Sequence, residues 1–524
     1  MRADGRYGKT ENLRSARGSV ERLTPPSSLW GSNGVAFGPD GRLYVAQFVA
    51  GRISAVDLGS GEVETVVEMD GPVQSPDDLA FGADGSMYIT DLVPGRVWRR
   101  GPDGEFTLVT DDVAQPNGIA CVGDRVFVNE MRMGGRVLEL FPGGGEPVVL
   151  AEGLALGNAM QLGPDGHLYY PHMVTNEVHR VSPDGGAPEL VARDVHQPVA
   201  VRFDLSGQLT VLSRGEAGIV TRIDLDSGRR TVVPGELSGM DNAAFDAENR
   251  MFVSSFAAGG IAELAPDGRA RVIVPKGFVG PYGVAVDRAG TVYAGDNFRL
   301  ATVDGGEAHT RELLASSHGV ATDDHGRVHI TSQSGAVRTY EPEQRVFRTR
   351  AEKLARPGGV ALRSDGLLVV AETGAGRVVG IDDEDGLVVL AEGLRAPVDV
   401  ALDREDRCYV SDEEGGVVVR VDDGALVPVV EELQRPQGIA VSGDELFVVE
   451  TGTRRLLSID LVTGDRRVEA EELAVGLPPG VARVQPEPVG HASVPVPFAG
   501  VAVGPDGSLY VSANGEGSVL HLRR

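Results

Sequence analysis

The stretch from Asn33 to Gln47, Asn-Gly-Val-Ala-Phe-Gly-Pro-Asp-Gly-Arg-Leu-Tyr-Val-Ala-Gln, sets a period that the rest of the chain must obey. A short apolar run, a Pro-Asp-Gly turn and a second apolar run read as a tight β-hairpin. The outline returns eleven more times, as far as Gly500–Ser512. Aligned on the position of the leading glycine, the units begin at Gly34, Asp78, Gly118, Ala159, Ala200, Asn242, Gly283, Gly319, Gly359, Asp399, Gly438 and Gly500. A regular period of about forty residues is the mark of a repeat architecture.

Each unit holds four apolar runs, in the first case Gly34–Phe37, Leu43–Ala46, Arg52–Val56 and Val63–Val67. Four short strands per period make one blade of a β-propeller. The expected fold is therefore all-β, with tandem β-propellers. Twelve blades exceed the usual number in one ring, so two six-bladed rings are expected, over residues 1–278 and 279–524. A single twelve-bladed ring is the minority reading. The last unit ends after three strands, and Ser19–Leu23 is a strand without a blade of its own. That strand is a candidate to close the last blade of the second ring. Residues 1–17 are polar and read as disordered or as an arm. Glu469–Val475 is the one stretch that allows a short helix. The last spacing is lengthened by a Pro-rich insertion at 477–498, which reads as a surface loop, or as a lid or inter-ring contact that gates the first ring.

Acidic residues outnumber basic ones, 76 to 49, for a net charge of −27. That excess argues against nucleic acid, whose phosphates need Lys and Arg, and against anionic membranes. Cys121 and Cys408 are the only cysteines, so neither a disulfide framework nor a cysteine zinc site can be built. The N-terminus lacks the apolar core of a signal peptide, and a cytoplasmic location is expected. No Walker loop, Gly-x-Ser-x-Gly elbow or His-Glu-x-x-His occurs.

Two columns of the repeat carry chemistry. Immediately before the first strand, where a blade meets the channel mouth, the first six units place Asn33, Asp77, Asn117, Asn158, Val199 and Asp241. The second six place Tyr282, His318, Gly358, Val398, Gln437 and Ala499. Side-chain oxygens converging on one axis are what a hard divalent cation needs, so Asn33, Asp77, Asn117, Asn158 and Asp241 are the metal candidates. Asn and Asp also satisfy turns locally, which is the competing explanation. The second column closes the second strand: Gln47, Asp91, Glu130, His172, Ser213, Ser255, Asp296, Ser332, Glu372, Asp412, Glu450 and Ala513. Its regularity points to hydrogen bonding within each blade. His172 breaks the series and is a candidate general base, and Glu130 is a second candidate catalytic residue.

The pattern Gly-Val-Ala-x-x-x-x-Gly-x-Leu-Tyr-Val-Ala, followed by Gly-Arg-Val, resembles the SMP-30/gluconolactonase-like and NHL-repeat propellers over nearly the whole chain. Pro116-Asn117-Gly118-Ile119 resembles that family's metal-binding Asn-Gly segment, and Met240-Asp241-Asn242-Ala243 the segment whose Asp is ligand and base. Asn158 matches the family's other Asn. The family's early Glu ligand has no counterpart, and Asn33 or Asp77 would stand in for it. The resemblance implies a divalent ion, Ca²⁺ or Mg²⁺ first and Zn²⁺ or Mn²⁺ next. It also implies a lactonase-like hydrolase for a small lactone, ester or polyoxygenated substrate, with Asp241 as base. A lyase, isomerase or cyclase would use the same parts. A non-catalytic double propeller that binds a protein partner through its faces is the alternative.

Overall fold

The computed structural model describes residues 6, 13–16, 18–234, 237–477 and 494–524. The chain is all-β, a β-propeller fold with one 3₁₀ turn, Thr373–Ala375, among the described residues. Its strands form eleven antiparallel sheets there, nine of four strands, one of five and one of six. Blades 1 to 6 are residues 35–67, 76–110, 116–155, 161–192, 198–234 and 240–274. Blades 7 and 8 share the six-stranded sheet at 284–351 because two strands, Val292–Asp304 and Glu307–Thr322, run on with bends at Asn297 and Ser316. Blades 9 to 12 are 357–392, 397–430, 436–471 and 501–523.

The Pro-Asp-Gly segment is scaffold. Gly41 takes φ +79°, a left-handed conformation that suits glycine, and Gly38 N–H donates to the Arg42 carbonyl at 2.9 Å. The tyrosine of the following Leu-Tyr-Val reaches back to the turn, Tyr44 Oη donating to Asp40 Oδ2 at 3.1 Å. Tyr169 does the same to Asp165 at 2.9 Å. Alternate residues of the second strand then face opposite sides of the blade. Leu43 and Val45 pack against Phe252 and Ile261 of blade 6, whereas Tyr44 and Ala46 pack against Leu79 and Ile89 of blade 2. Each fully buried Leu, Ile or Val contributes about 1.5–3 kcal/mol, so blade-to-blade contact carries the fold.

The chain divides into two compact units. In the N-terminal unit, Leu29–Lys276, the innermost strands follow one another from blade 1 to blade 6, and that of blade 6 returns to blade 1. Gly34 N–H donates to the Asp77 carbonyl at 2.7 Å, and Ser254 Oγ donates to the Asn33 carbonyl at 2.6 Å to close the circuit. In the C-terminal unit blades 7 to 12 make the same kind of circuit, closed where Gly500 N–H donates to the Tyr282 carbonyl at 3.1 Å.

The start of the chain clusters with the C-terminal unit up to Ser28, so the 1–278 boundary is displaced at its beginning. The physical reason is pairing. Ser19–Arg22 runs antiparallel to Ser518–Arg523 and supplies blade 12 with its fourth strand. Of the N-terminal stretch expected to be disordered or an arm, the described residues are packed. Arg14–Ser15 pairs with Ala470–Glu471 as a fifth strand on blade 11, and Arg6 Nη1 donates to the carbonyls of Gly280 and Asn514. The helix expected at Glu469–Val475 is not formed. Arg466–Glu471 is the outer strand of blade 11, whose partner is Arg455–Asp460. Most of the Pro-rich insertion, residues 478–493, lies outside the described residues.

Candidate functional site

The metal candidates sit where the innermost strands of the N-terminal unit begin. In blades 2, 3 and 6 the pairing register slips just there, between Pro76 and Leu79, Pro116 and Ile119, and Met240 and Ala243. Such a bulge re-aims side chains that strict alternation would send to opposite faces. Consecutive residues, Asp77 with Asp78 and Asp241 with Asn242, are thereby all buried at the centre of the unit.

Asp77, Asn33 and Asp241 come together. Asn33 Nδ2 points to Asp77 Oδ1 at 3.5 Å, and Asn33 Oδ1 is buried with no hydrogen-bond donor among the described residues. Burial holds the Asp77 carboxyl well above the usual carboxylate range, with the charges of Asp241 and Asp78 adding to it. Asp241 is pushed up to about 7 by burial and by Asp78, against the pull of Arg214 and Arg202. No described residue donates a hydrogen bond to the Asp241 carboxylate. Asn117 Oδ1 is buried and also lacks a donor, its Nδ2 resting on Met131 Sδ at 3.2 Å. Asn158 Nδ2 lies 3.8 Å from the same sulfur, and Asn158 Oδ1 already accepts the Ala159 N–H at 2.7 Å. Asn158 is thus the weakest donor of the five.

Deeper in, a polar network spans the strands. Arg202, which repeat reading missed, donates through Nε to the Ala243 carbonyl at 2.7 Å and through Nη1 to the carbonyls of Met160 and Val201. Its Nη2 donates to Asn242 Oδ1 and lies 4.0 Å from Asp78 Oδ2. Asn242 Nδ2 donates to Asp78 Oδ1 at 3.0 Å, across 164 residues of sequence. Burial raises Asp78 to about 6, while Arg202 opposes the rise.

The second column is a repeated tie. Asp91 accepts from Ser75 N–H, Glu372 from Ala355, Asp412 from Ala396 and Glu450 from Gln434, each sixteen or seventeen residues back. Glu130 belongs to this series. It accepts the N–H of Ala114 at 3.1 Å and is clamped by Arg136 at 2.6 Å and Arg132 at 3.2 Å; burial is the largest single effect and raises its pKa, but these partners together outweigh it and hold the carboxyl below the usual value. Its oxygens are committed, which removes it from the catalytic candidates. His172 makes no such tie. No hydrogen bond or ion pair joins it to Asp77 or Asp241; instead its ring stacks on His179 with centroids 4.1 Å apart. Burial, and then His179, lower its pKa to about 4.

The C-terminal unit has a different centre. A cavity of about 200 Å³ is lined by the innermost strands of all six blades, with Asp399 as its one ionisable residue. Above it Phe498 stacks on His318, centroids 5.1 Å apart, and packs with Tyr282 and Val398. Gln333 Oε1 accepts Val496 N–H and Gln437 Oε1 accepts Ala499 N–H, both at 2.8 Å, and together they pin this end of the insertion. Residues 496–499 are thus tied to the C-terminal unit.

No family model matches the chain, and no curated protein matches it. Among solved structures it is similar to a streptogramin B lyase, at 17% identity over 53% of this chain and 94% of that one, with a TM-score of 0.40. It is similar to virginiamycin B lyase from Staphylococcus aureus at 17% identity, covering 54% and 96%, with a TM-score of 0.39. It is also similar to PorZ, a surface component of the type-IX secretion system of Porphyromonas gingivalis, at 12% identity, covering 96% and 87%, with a TM-score of 0.36. At such identities the likeness is one of fold.

Proposed function

We propose that the N-terminal unit is a metal-dependent enzyme of the SMP-30/gluconolactonase kind, acting at its mouth on a lactone, ester or related polyoxygenated small molecule. The observation that carries this reading is the pairing of two buried carboxylates, Asp77 and Asp241, with two buried amide oxygens, Asn33 Oδ1 and Asn117 Oδ1, that no described residue satisfies. Buried acceptors without donors are costly, by about 1–3 kcal/mol each, and a cation removes that cost. The donor set is all oxygen, the preference of Ca²⁺ and Mg²⁺. Asp77, Asp241, Asn33 and Asn117 would hold the ion, with Asn158 in a lesser part. Once bound it would supply Lewis acidity toward a substrate carbonyl. Asp241, which accepts no hydrogen bond from the described residues, is the residue to take a proton from water or from a carbon next to that carbonyl; the first gives hydrolysis, the second a lyase or isomerase.

Elemental analysis and Ca²⁺ and Mg²⁺ calorimetry on the full chain test the reading. One equivalent of Ca²⁺ or Mg²⁺ is expected, with affinity reduced about 100-fold in Asp241→Asn, roughly 2.7 kcal/mol. Absence of binding by Ca²⁺, Mg²⁺, Mn²⁺ and Zn²⁺ at this position would overturn it. A second reading, in which the chain is a binding module, draws on the C-terminal unit, whose mouth is filled by aromatic side chains.

A further inference from the structure

We infer that His172, Glu177 and His179 of blade 4 form a separate binding site for a zinc-class transition metal. The three come from one hairpin. Leu168–His172 pairs with Glu177–Val181 in a register that sets His172 opposite Glu177. His179, two residues beyond Glu177, falls on the same face of the blade. One ligand atom from each of the three lies within 4.8 Å of the others, and among the described residues this is the one such group of His, Cys, Asp and Glu.

Two further observations point to a ligand. His172 is only 8% exposed, and its Nε2 is buried with no hydrogen-bond partner among the described residues. His172 also leaves the tie that most other members of its column make; its ring stacks on His179 with an interplanar angle of 12°, so one ring must turn out of the stack for both nitrogens to face one ion. Its neighbours are already fixed. His179 Nε2 lies 3.1 Å from Glu177 Oε2, and Thr175 Oγ1 donates to the same oxygen at 3.0 Å. Arg193 lies 3.8 Å from Glu177 Oε1.

Two imidazoles and one carboxylate, with a fourth position left to water, are the donor set Zn²⁺ takes. Imidazole nitrogen selects Zn²⁺, Co²⁺ or Ni²⁺ over Ca²⁺ and Mg²⁺, which prefer oxygen. The site is therefore chemically distinct from the oxygen set at Asp77 and Asp241, and it stands whether or not that set binds an ion.

Co²⁺ titration of the full chain, read by ligand-field absorption, tests it. The expected result is absorption of tetrahedral intensity that saturates at one equivalent and is displaced by Zn²⁺. His179→Gln should abolish the signal, Glu177→Gln should weaken affinity at least tenfold, and Asp241→Asn should leave both unchanged. His179 and Glu177 are half-buried, and circular dichroism reports whether either variant folds; if one does not, the other decides. Absence of the bands in the parent chain, or a His179→Gln spectrum equal to the parent's, would overturn the assignment.

Discussion

At the position that heads the innermost strand, the N-terminal unit carries Asn33, Asp77, Asn117, Asn158, Val199 and Asp241, and the C-terminal unit carries Tyr282, His318, Gly358, Val398, Gln437 and Ala499. One position further in, Asp78 and Asn242 of the first unit join Arg202 in a network across the strands. The second unit has glycine in five of its six places there, Gly283, Gly319, Gly359, Gly438 and Gly500. The sixth is Asp399, which accepts the N–H groups of Val400 and Ile439, both at 2.9 Å. A Cβ on Gly359 would fall 1.7 Å from Asp399 Oδ1, so the glycine is required by the carboxylate beside it. The same backbone frame therefore supports a charged, internally paired centre in one unit and a cavity with a solitary acid in the other. Chemistry at the mouth is set by side chains on the frame, which the frame itself leaves free to vary.

Removing Arg202 should break the contrast most. Arg202→Met leaves Asp78 as a buried charge without its cation, and strands the carbonyls of Ala243, Met160 and Val201. A loss of about 3–5 kcal/mol is expected in chemical denaturation of the N-terminal unit. Adding Asp78→Asn should recover part of it, as coupled neighbours do. A loss below about 1 kcal/mol would mean that the network does not hold the strands. Phe498→Ala comes next. It deletes the ring that packs on Tyr282, His318 and Val398, and should cost about 3 kcal/mol in thermal unfolding while leaving divalent-ion affinity at Asp77 and Asp241 unchanged. If ion affinity fell instead, the two centres would not be independent.

Much of this was legible in the repeat. The hairpin outline marked twelve units, and the missing strand of the last one pointed to Ser19–Leu23. The column headed by Asn33 placed the oxygen donors in the first six units. Asp78, Asn242 and Asp399 interrupt a column otherwise made of glycine and alanine, a signal that neither of the two candidate columns used, and their partners could not be read there. Arg202 meets Asp78 and Asn242 only because the strands close on themselves, and no local pattern reports a contact made across the centre of a circuit. His179 was missed for a related reason: its bearing on His172 depends on hairpin register. Glu469–Val475 misled because a short polar and apolar stretch fits either period until a neighbouring strand decides it.

Asp399 and Asp78 occupy the same place in the repeat, and the smallest expected effect separates a lone buried acid from a paired one. An unfolded aspartate loses its proton near pH 4, whereas burial raises folded Asp399 to about 7. Between those values the folded chain binds more protons than the unfolded chain. Stability must therefore fall as pH rises through that window. Asp399→Asn removes the charge and keeps an acceptor for Val400 or Ile439. The variant should match the parent, or fall slightly below it, at pH 5. At pH 8 it should be more stable by on the order of 2 kcal/mol, read as a raised melting temperature. Asp78→Asn should show a smaller pH-dependent gain, because Arg202 already offsets the charge and the rise to about 6 is less. Equal pH profiles for the two variants would show that the guanidinium at 4.0 Å does nothing for Asp78, and that burial alone governs both acids.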